Sequence, residues 1–276
     1  MAVTIGNFTI PNAEEKSVEL SHGTTRYIEA GTGYPTLLVH GVGYTAGAHG
    51  WFLNIGPLST RLRVLAIDAM GWGKGKGFLQ QEYSFAYLVD HIREFQDALG
   101  LEKTNLVGHS MGGWLASLFA YESPHRLNKL VLVASGGSMP RQLQSMVEFQ
   151  PPTRDRVLQQ IKHTIKANGV DFEAHADYLY ALTQDPDRLA CYRRIMSHMN
   201  NMETRQRYNT VRRFPHIRVP TLVVWGRNDQ TNALEMGEMT HKGVPGSRVV
   251  VFDNCGHFIP TEKADEFNRA LLEFLP

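Results

Sequence analysis

Only two cysteines occur in the 276 residues, Cys191 and Cys255, far apart and in no paired spacing. That excludes a disulfide framework and a thiolate metal site and leaves both as free thiols. No apolar run approaches the ~20 residues needed to span a membrane. The first residues lack the basic-then-apolar pattern of a secretion signal, so a cytoplasmic location with no membrane attachment is expected. The formal net charge of +1 gives no electrostatic case for nucleic-acid binding. Twelve histidines are present, yet no two lie within five residues of each other, so no helical zinc pair exists. Neither a metal nor a cofactor is expected. There is no internal repeat and no low-complexity tract. The 42% hydrophobic content is enough for a sizeable core, either one large α/β domain or a core with an insertion.

The most telling stretch is Gly108-His109-Ser110-Met111-Gly112-Gly113. It fits G-x-S-x-G and sits where a short apolar strand, Thr104 to Gly108, runs into a helical pattern, Met111 to Tyr121. A serine on so tight a strand-to-helix turn has its hydroxyl pushed out at the sheet top, and its neighbours must be glycine because a Cβ would clash. The helix that follows aims free N–H groups and its positive dipole end at the site, which suits a developing oxyanion.

In a fold built around such a turn the order is Ser, then acid, then His. Thr221 to Trp225 reads as a buried strand opening into Gly226-Arg227-Asn228-Asp229. Val249 to Phe252 reads as another, leading to Asn254-Cys255-Gly256-His257-Phe258. An acid past one strand and a histidine past the next converge at the carboxyl edge with Ser110. Ser110 is then the candidate nucleophile, His257 the base that takes its proton, and Asp229 the group that holds the imidazole tautomer. Thr36 to His40 is a further strand, ending in His40-Gly41-Val42-Gly43. The backbone N–H groups of Val42 and Met111 are the candidate oxyanion hole, with His40 a structural hydrogen-bonder beneath it. Gly41, Gly43, His109 and Phe258 flank these groups and are expected to contact substrate.

Alternation in Ser17 to Leu20 and Thr24 to Glu29 predicts an antiparallel hairpin turning at His22-Gly23. Strands follow near 36–40, 64–68, 104–108, 130–134, 221–225 and 247–252, mostly separated by helical patterns. Ser84 to Leu99 predicts a helix with Phe85, Leu88, Val89, Ile92, Phe95 and Leu99 on one face and Gly100 as stop. Ala264, Phe267, Leu271 and Phe274 repeat that stripe. Strand alternating with helix predicts a mostly parallel sheet covered by helices on both faces.

One gap breaks the rhythm. About 80 residues separate the strands ending near 134 and starting near 221, where a crossover needs only ~10–12. Arg154 to Asn168 is helical in pattern, with Val157, Ile161 and Ile165 on one face and Gly169 as stop, and 171–183 and 186–200 also read as helices. Residues 139–214 are therefore expected to form a helical cap inserted after the sixth strand, over a core of residues 1–138 and 215–276. Residues 139–218 hold thirteen Lys and Arg against eight Asp and Glu. A basic lid favours an anionic substrate; the alternative is solvated helix faces paired with local acids. Met139, Met146, Met196, Met199 and Met202 also fall here, as cap core or as the lining of an adaptable pocket. Gly71-Trp72-Gly73-Lys74-Gly75-Lys76-Gly77 fails both phosphate-loop spacings and is expected to be the turn after the fourth strand, near the mouth of the site.

Several segments together resemble the meta-cleavage-product hydrolases of the α/β-hydrolase superfamily over nearly the whole core. They are His40-Gly41-Val42-Gly43 with Trp51 nearby, Asp68-Ala-Met-Gly-Trp-Gly-Lys74, Asp97-Ala-Leu-Gly-Leu101, and Gly256-His257-Phe258 followed by Ala264 to Arg269. A serine at the elbow separates the chain from the haloalkane dehalogenases and epoxide hydrolases, whose nucleophile there is aspartate. The resemblance implies hydrolysis of a C–C bond in 2-hydroxy-6-oxo-dienoates: ketonisation of the dienol, attack on the distal carbonyl by serine or activated water, then cleavage. It also implies a cap arginine for the substrate carboxylate. Arg188, in Asp185-Pro-Asp-Arg-Leu189, is the candidate by position, since a guanidinium suits bidentate capture; an ion pair with Asp185 or Asp187 is the alternative. The family usually has Asn where this chain has His109, Ser where it has Val42 and Trp where it has Phe258. Gly-His-Ser-Met-Gly-Gly is also widespread among carboxylesterases, lactonases and haloperoxidase-like relatives, and some proteins of this fold are small-molecule receptors. The expected partner is a small molecule, anionic with an apolar part, and the sequence is compatible with a homo-oligomer.

Overall fold

The structure, a computed structural model, describes residues 1–21, 23–72, 83–139 and 149–276. The main sheet has eight strands: β3 (Ala13–Leu20), β4 (Gly23–Ala30), β5 (Tyr34–Val39), β6 (Leu62–Ile67), β7 (Thr104–His109), β8 (Leu127–Val133), β9 (Thr221–Gly226) and β10 (Arg248–Phe252). Their spatial order is β3-β4-β6-β5-β7-β8-β9-β10. The β3–β4 and β4–β6 pairs are antiparallel and every pair from β6 to β10 is parallel. This mixed but mostly parallel sheet agrees with the expected α/β-hydrolase fold. His22, at the predicted hairpin turn, lies outside the described residues, as do residues 73–77 of the glycine run and Met146.

Alternate residues of the central strands point to opposite faces, as the period of two requires. Leu37, Val39, Leu65 and Ile67 join one apolar cluster with helix α2 (Phe85–Ala98) and helix α3 (Met111–Glu122). Leu38, Val64, Ala66 and Val107 join another with helix α1 (Phe52–Ser59) and the C-terminal helix (Ala264–Phe274). Both faces are covered, which is why these strands read as continuous apolar runs. Ser84 caps α2, its hydroxyl accepting from the Tyr87 N–H, and Phe85, Leu88, Val89, Ile92 and Phe95 are buried as the stripe predicts.

A short antiparallel hairpin, β1 (Ala2–Ile5) and β2 (Phe8–Pro11), precedes the main sheet and was not predicted. Its strands are too short to show periodicity. It is held by its neighbours: Val3, Ile5 and Ile10 are buried, and the Asn7 amide donates to Asp171 at 3.0 Å. Between β8 and β9 lie α4 (Arg154–Thr164), α5 (Phe172–Leu182), α6 (Pro186–Asn200) and α7 (Met202–Arg207). Thr153, Asp171, Asp185 and Asn201 cap them, each side chain accepting backbone N–H groups of the first turn. These helices lie within residues 139–214. Beyond β9 come α8 (Leu234–Gly243), the single turn α9 (Ile259–Glu262) and α10 (Ala264–Phe274).

One buried ion pair ties the antiparallel edge of the sheet to the loop after β5. Arg26 on β4 donates through Nε to Asp68 Oδ2 at 2.7 Å, and the Ala48 N–H donates to Asp68 Oδ1 at 2.7 Å. Burial works against the charge on Asp68, yet the Arg26 guanidinium and the Ala48 N–H hold its carboxyl down at about 2. Removing one partner of such a pair strands the other charge. Asp68→Asn should therefore cost about 3 kcal/mol of stability at neutral pH, read from urea unfolding; a loss below about 1 kcal/mol, the worth of an exposed pair, would show that the pair does not hold this edge.

Candidate active site

Ser110 sits between β7 and α3 with φ 55° and ψ −111°, a left-handed conformation that a serine adopts only under constraint. The constraint is the approach of neighbouring backbone. A Cβ on Gly108 would lie 2.2 Å from the Gly112 carbonyl oxygen, and one on Gly112 would lie 2.2 Å from the Val39 carbonyl oxygen. Only glycine at both positions lets the turn press against β5. The Ser110 N–H donates to the Val133 carbonyl at 2.9 Å, which fixes the turn to β8.

The three predicted side chains meet. His257 Nε2 is 3.0 Å from Ser110 Oγ, and His257 Nδ1 is 2.8 Å from Asp229 Oδ2. Asp229 Oδ1 accepts the N–H groups of Thr231 and Asn232, each at 2.8 Å, so the carboxylate is fixed with Oδ2 left for the imidazole. The Asn228 N–H donates to the Cys255 carbonyl at 2.8 Å and stitches the acid loop to the histidine loop. Cys255 itself is buried, and burial with the nearby Glu262 carboxylate pushes its thiol up to about 12, so it stays protonated at neutral pH.

The main chain at His257 is held on both sides. Glu262 accepts the Gly256 N–H at 2.7 Å and the Phe258 N–H at 2.9 Å, while His109 Nε2 donates to the His257 carbonyl at 2.8 Å. Nothing in the spacing of Glu262 signalled this role, because it depends on the turn of α9. His40 behaves as the sequence suggests: Nδ1 donates to the Gly41 carbonyl at 2.7 Å and Nε2 accepts the Ala69 N–H at 2.9 Å.

Ser110 and His257 open on a cavity of about 330 Å³. Gly41, Val42, Gly43, His109, Met111 and Phe258 all line it. Met111 is the first residue of α3, so its N–H has no carbonyl partner within the helix. Val157, Ile161, Ile165 and Leu179, in and just after α4 and in α5, give the cavity an apolar side; Trp114, Met139, Met199 and Arg205 also form part of the wall. Met196, by contrast, is in the core.

Arg188 is not where the sequence suggested. Its guanidinium donates to three backbone carbonyls, Tyr44 at 2.8 Å, Trp72 at 2.6 Å and Ala46 at 2.5 Å. It is outside the cavity lining, and Asp185 caps α6 instead of pairing with it. Burial lowers its affinity for the proton, but the carbonyl dipoles occupy its donors in place of a carboxylate. Among the described residues, the cation lining the cavity is Arg205, buried over the Trp114 ring at 5.2 Å and donating to the Met199 carbonyl at 2.9 Å. Six arginines from 193 to 213 look alike in sequence, so no signal singled it out. Other charges between β8 and β9 are partly neutralised locally, Arg154 pairing with Glu173 and Asp177 and Lys162 with Glu173.

The chain belongs to the α/β-hydrolase-fold family, whose model matches residues 34–264, and it is a hydrolase. Among curated relatives it is 32% identical to the 2-hydroxy-6-oxo-6-phenylhexa-2,4-dienoate hydrolase of Comamonas testosteroni, over 99% of this chain and 98% of that one. It is 31% identical to a 2-hydroxy-6-oxononadienedioate/2-hydroxy-6-oxononatrienedioate hydrolase of Paraburkholderia phymatum, over 95% and 96%. Among solved structures, the meta-cleavage product hydrolase of Pseudomonas fluorescens IP01 superposes with a TM-score of 0.80 at 26% identity, covering 94% of this chain and 96% of that one. No helix among the described residues is long and apolar enough to cross a membrane.

Four buried histidines that line the cavity, His40, His49, His109 and His175, give the fold a pH dependence. Burial lowers His40 and His175 from 6.5 to about 4, and His49 and His109 to about 3. The unfolded chain takes up these protons near 6.5 while the folded chain does not, so their neutral forms stabilise the fold fully above about 6.5 and that stability is lost as the pH falls toward 4. The melting temperature should be level from pH 7 to 8 and drop steeply between pH 6.5 and 4.5. A flat profile across that window would contradict this burial.

Proposed function

We propose that this chain hydrolyses the C–C bond beside the distal ketone of a 2-hydroxy-6-oxo-dienoate, with Ser110, His257 and Asp229 as its relay. The observation that carries the hydrolytic part is the unbroken line Asp229–His257–Ser110, at 2.8 and 3.0 Å, whose His257 and Ser110 line the cavity. The substrate class is supported by the relatives of that activity, which match nearly end to end.

Ketonisation of the dienol moves a proton onto the carbon next to the distal ketone and readies that bond for cleavage. His257 Nε2 then takes the Ser110 proton as Oγ, or a water in its place, attacks the ketone carbon. The Met111 and Val42 N–H groups receive the negative oxygen as it forms. Collapse breaks the C–C bond, the departing carbon collects the proton held by His257, and water releases the acid from Ser110. Asp229 keeps Nδ1 protonated, so Nε2 is the nitrogen that can accept. The apolar side chains of Val157, Ile161, Ile165 and Leu179 suit the substituent on the ketone, and Arg205 is the cation on the cavity wall for an anionic end.

A second reading, carboxylic ester hydrolysis, is favoured by Val42, which offers the cavity an apolar side chain where the dienoate hydrolases usually carry Ser, and by Phe258, which lacks the indole N–H of the Trp they usually carry. Turnover of p-nitrophenyl butyrate against 2-hydroxy-6-oxo-6-phenylhexa-2,4-dienoate separates the two. Ser110→Ala should lower kcat on the preferred substrate by on the order of 10⁴–10⁶, and nearly intact activity would remove the assigned nucleophile. Arg205→Met should raise KM for the dienoate about tenfold, a loss of roughly 1.4 kcal/mol, and leave KM for the neutral ester nearly unchanged; equal effects on both would take away its part in binding the carboxylate.

A further inference from the structure

The loop after β5 carries the Val42 N–H, yet from Gly41 to Ala46 it belongs to neither helix nor strand. Side chains hold its carbonyls instead. His40 grips the Gly41 oxygen, Trp72 Nε1 donates to Gly43 at 2.9 Å, His49 Nε2 donates to Thr45 at 2.8 Å, and Arg188 takes both Tyr44 and Ala46. In a trans peptide the C=O and the following N–H point in opposite directions. The grip of His40 on the Gly41 carbonyl therefore orients the Val42 N–H of the same peptide, and the grips on Gly43, Tyr44, Thr45 and Ala46 hold the rest of the loop in place.

Arg188 is the member of this set that comes from the helices between β8 and β9. It is 6% exposed on α6 and reaches across to the loop and, through the Trp72 carbonyl, to the first residues after β6. Three carbonyl dipoles in a fixed fork match a guanidinium and would not be met together by a compact ammonium.

We propose that Arg188 is a positioning residue for the oxyanion hole, not a ligand of the substrate carboxylate, and that docking of α6 on the loop completes the hole. The proposal rests on the serine-hydrolase reading above but not on the dienoate as substrate. With α6 displaced, Tyr44 and Ala46 lose their donors, the loop is free to rotate its peptides, and the Val42 amide no longer points at the developing oxyanion. Binding of the ground-state substrate is little affected, because the hole is filled only as charge forms.

The test compares Arg188→Met and Arg188→Lys with the unaltered enzyme, on p-nitrophenyl butyrate, on the phenyl-substituted dienoate, and with 1,1,1-trifluoroheptan-2-one as an inhibitor that forms an oxyanion on serine. Loss of a whole oxyanion donor costs 10²–10³ in kcat, so a mis-aimed one should cost about 10- to 100-fold. The expected result is that fall in kcat on both substrates with KM held within about threefold, and a matching rise in Ki for the trifluoroketone. Arg188→Lys, which keeps the charge and part of the hydrogen bonding, should lie between, and it carries the same readout if Arg188→Met does not fold. A KM that rises for the dienoate alone, with kcat and the trifluoroketone Ki unchanged, would overturn the proposal in favour of a carboxylate ligand. Unchanged constants throughout would overturn it too. If the unaltered enzyme splits the ester and not the dienoate, the substrate assignment falls while the ester and inhibitor ratios still decide the role of Arg188.

Discussion

The contact between the Gly112 backbone and the Val39 carbonyl is the constraint on which the site depends. A Cβ at position 112 would stand 2.2 Å from that oxygen, so the β7–α3 turn can lie against β5 only as it does. From that approach follow the left-handed Ser110, the start of α3 at Met111 and the proximity of that helix end to Val42. A turn set one residue wider would separate the nucleophile from the loop that completes its oxyanion hole. Strain at Ser110 is thus tied to the sheet order that makes β5 and β7 neighbours.

Around this contact the chain uses backbone groups as much as side chains. Glu262 and His109 hold the peptides on either side of His257, and Thr231 and Asn232 hold Asp229 through their N–H groups. Arg188 and its partners do the same for the carbonyls of the loop after β5. The relay distances are the visible outcome of these supports, none of which touches the reacting atoms. A preorganised array of this kind avoids reorientation as charge develops. It also explains why so many buried histidines are kept neutral near the site: as fixed donors and acceptors they steer peptides without adding charge.

The sheet and the relay were legible because each rests on a local pattern. Short stretches rich in Val and Leu announced the parallel strands, the period of α2 announced its buried face, and Gly108, Gly112 and Ser110 announced the elbow. Arg188, Arg205 and Glu262 were not legible in their roles. Arg188 was assigned to a carboxylate because its charge and its place after Asp185 were visible, while the Tyr44 and Ala46 carbonyls, more than 140 residues away, were not. Arg205 acquires its place only when α7 packs beside Trp114. The β1–β2 hairpin was missed for the same reason, since tertiary contact and not periodicity holds it.

Covalent trapping tests the central claim most directly. The enzyme would be treated with an alkyl fluorophosphonate, which loses fluoride to an activated serine, and the modified peptide mapped by mass spectrometry. The account predicts a single adduct on Ser110, formed rapidly by the unaltered chain and at least about 100-fold more slowly when His257 is replaced by Ala, the scale on which a general base contributes. An adduct on another residue, or an equally fast one without His257, would contradict it.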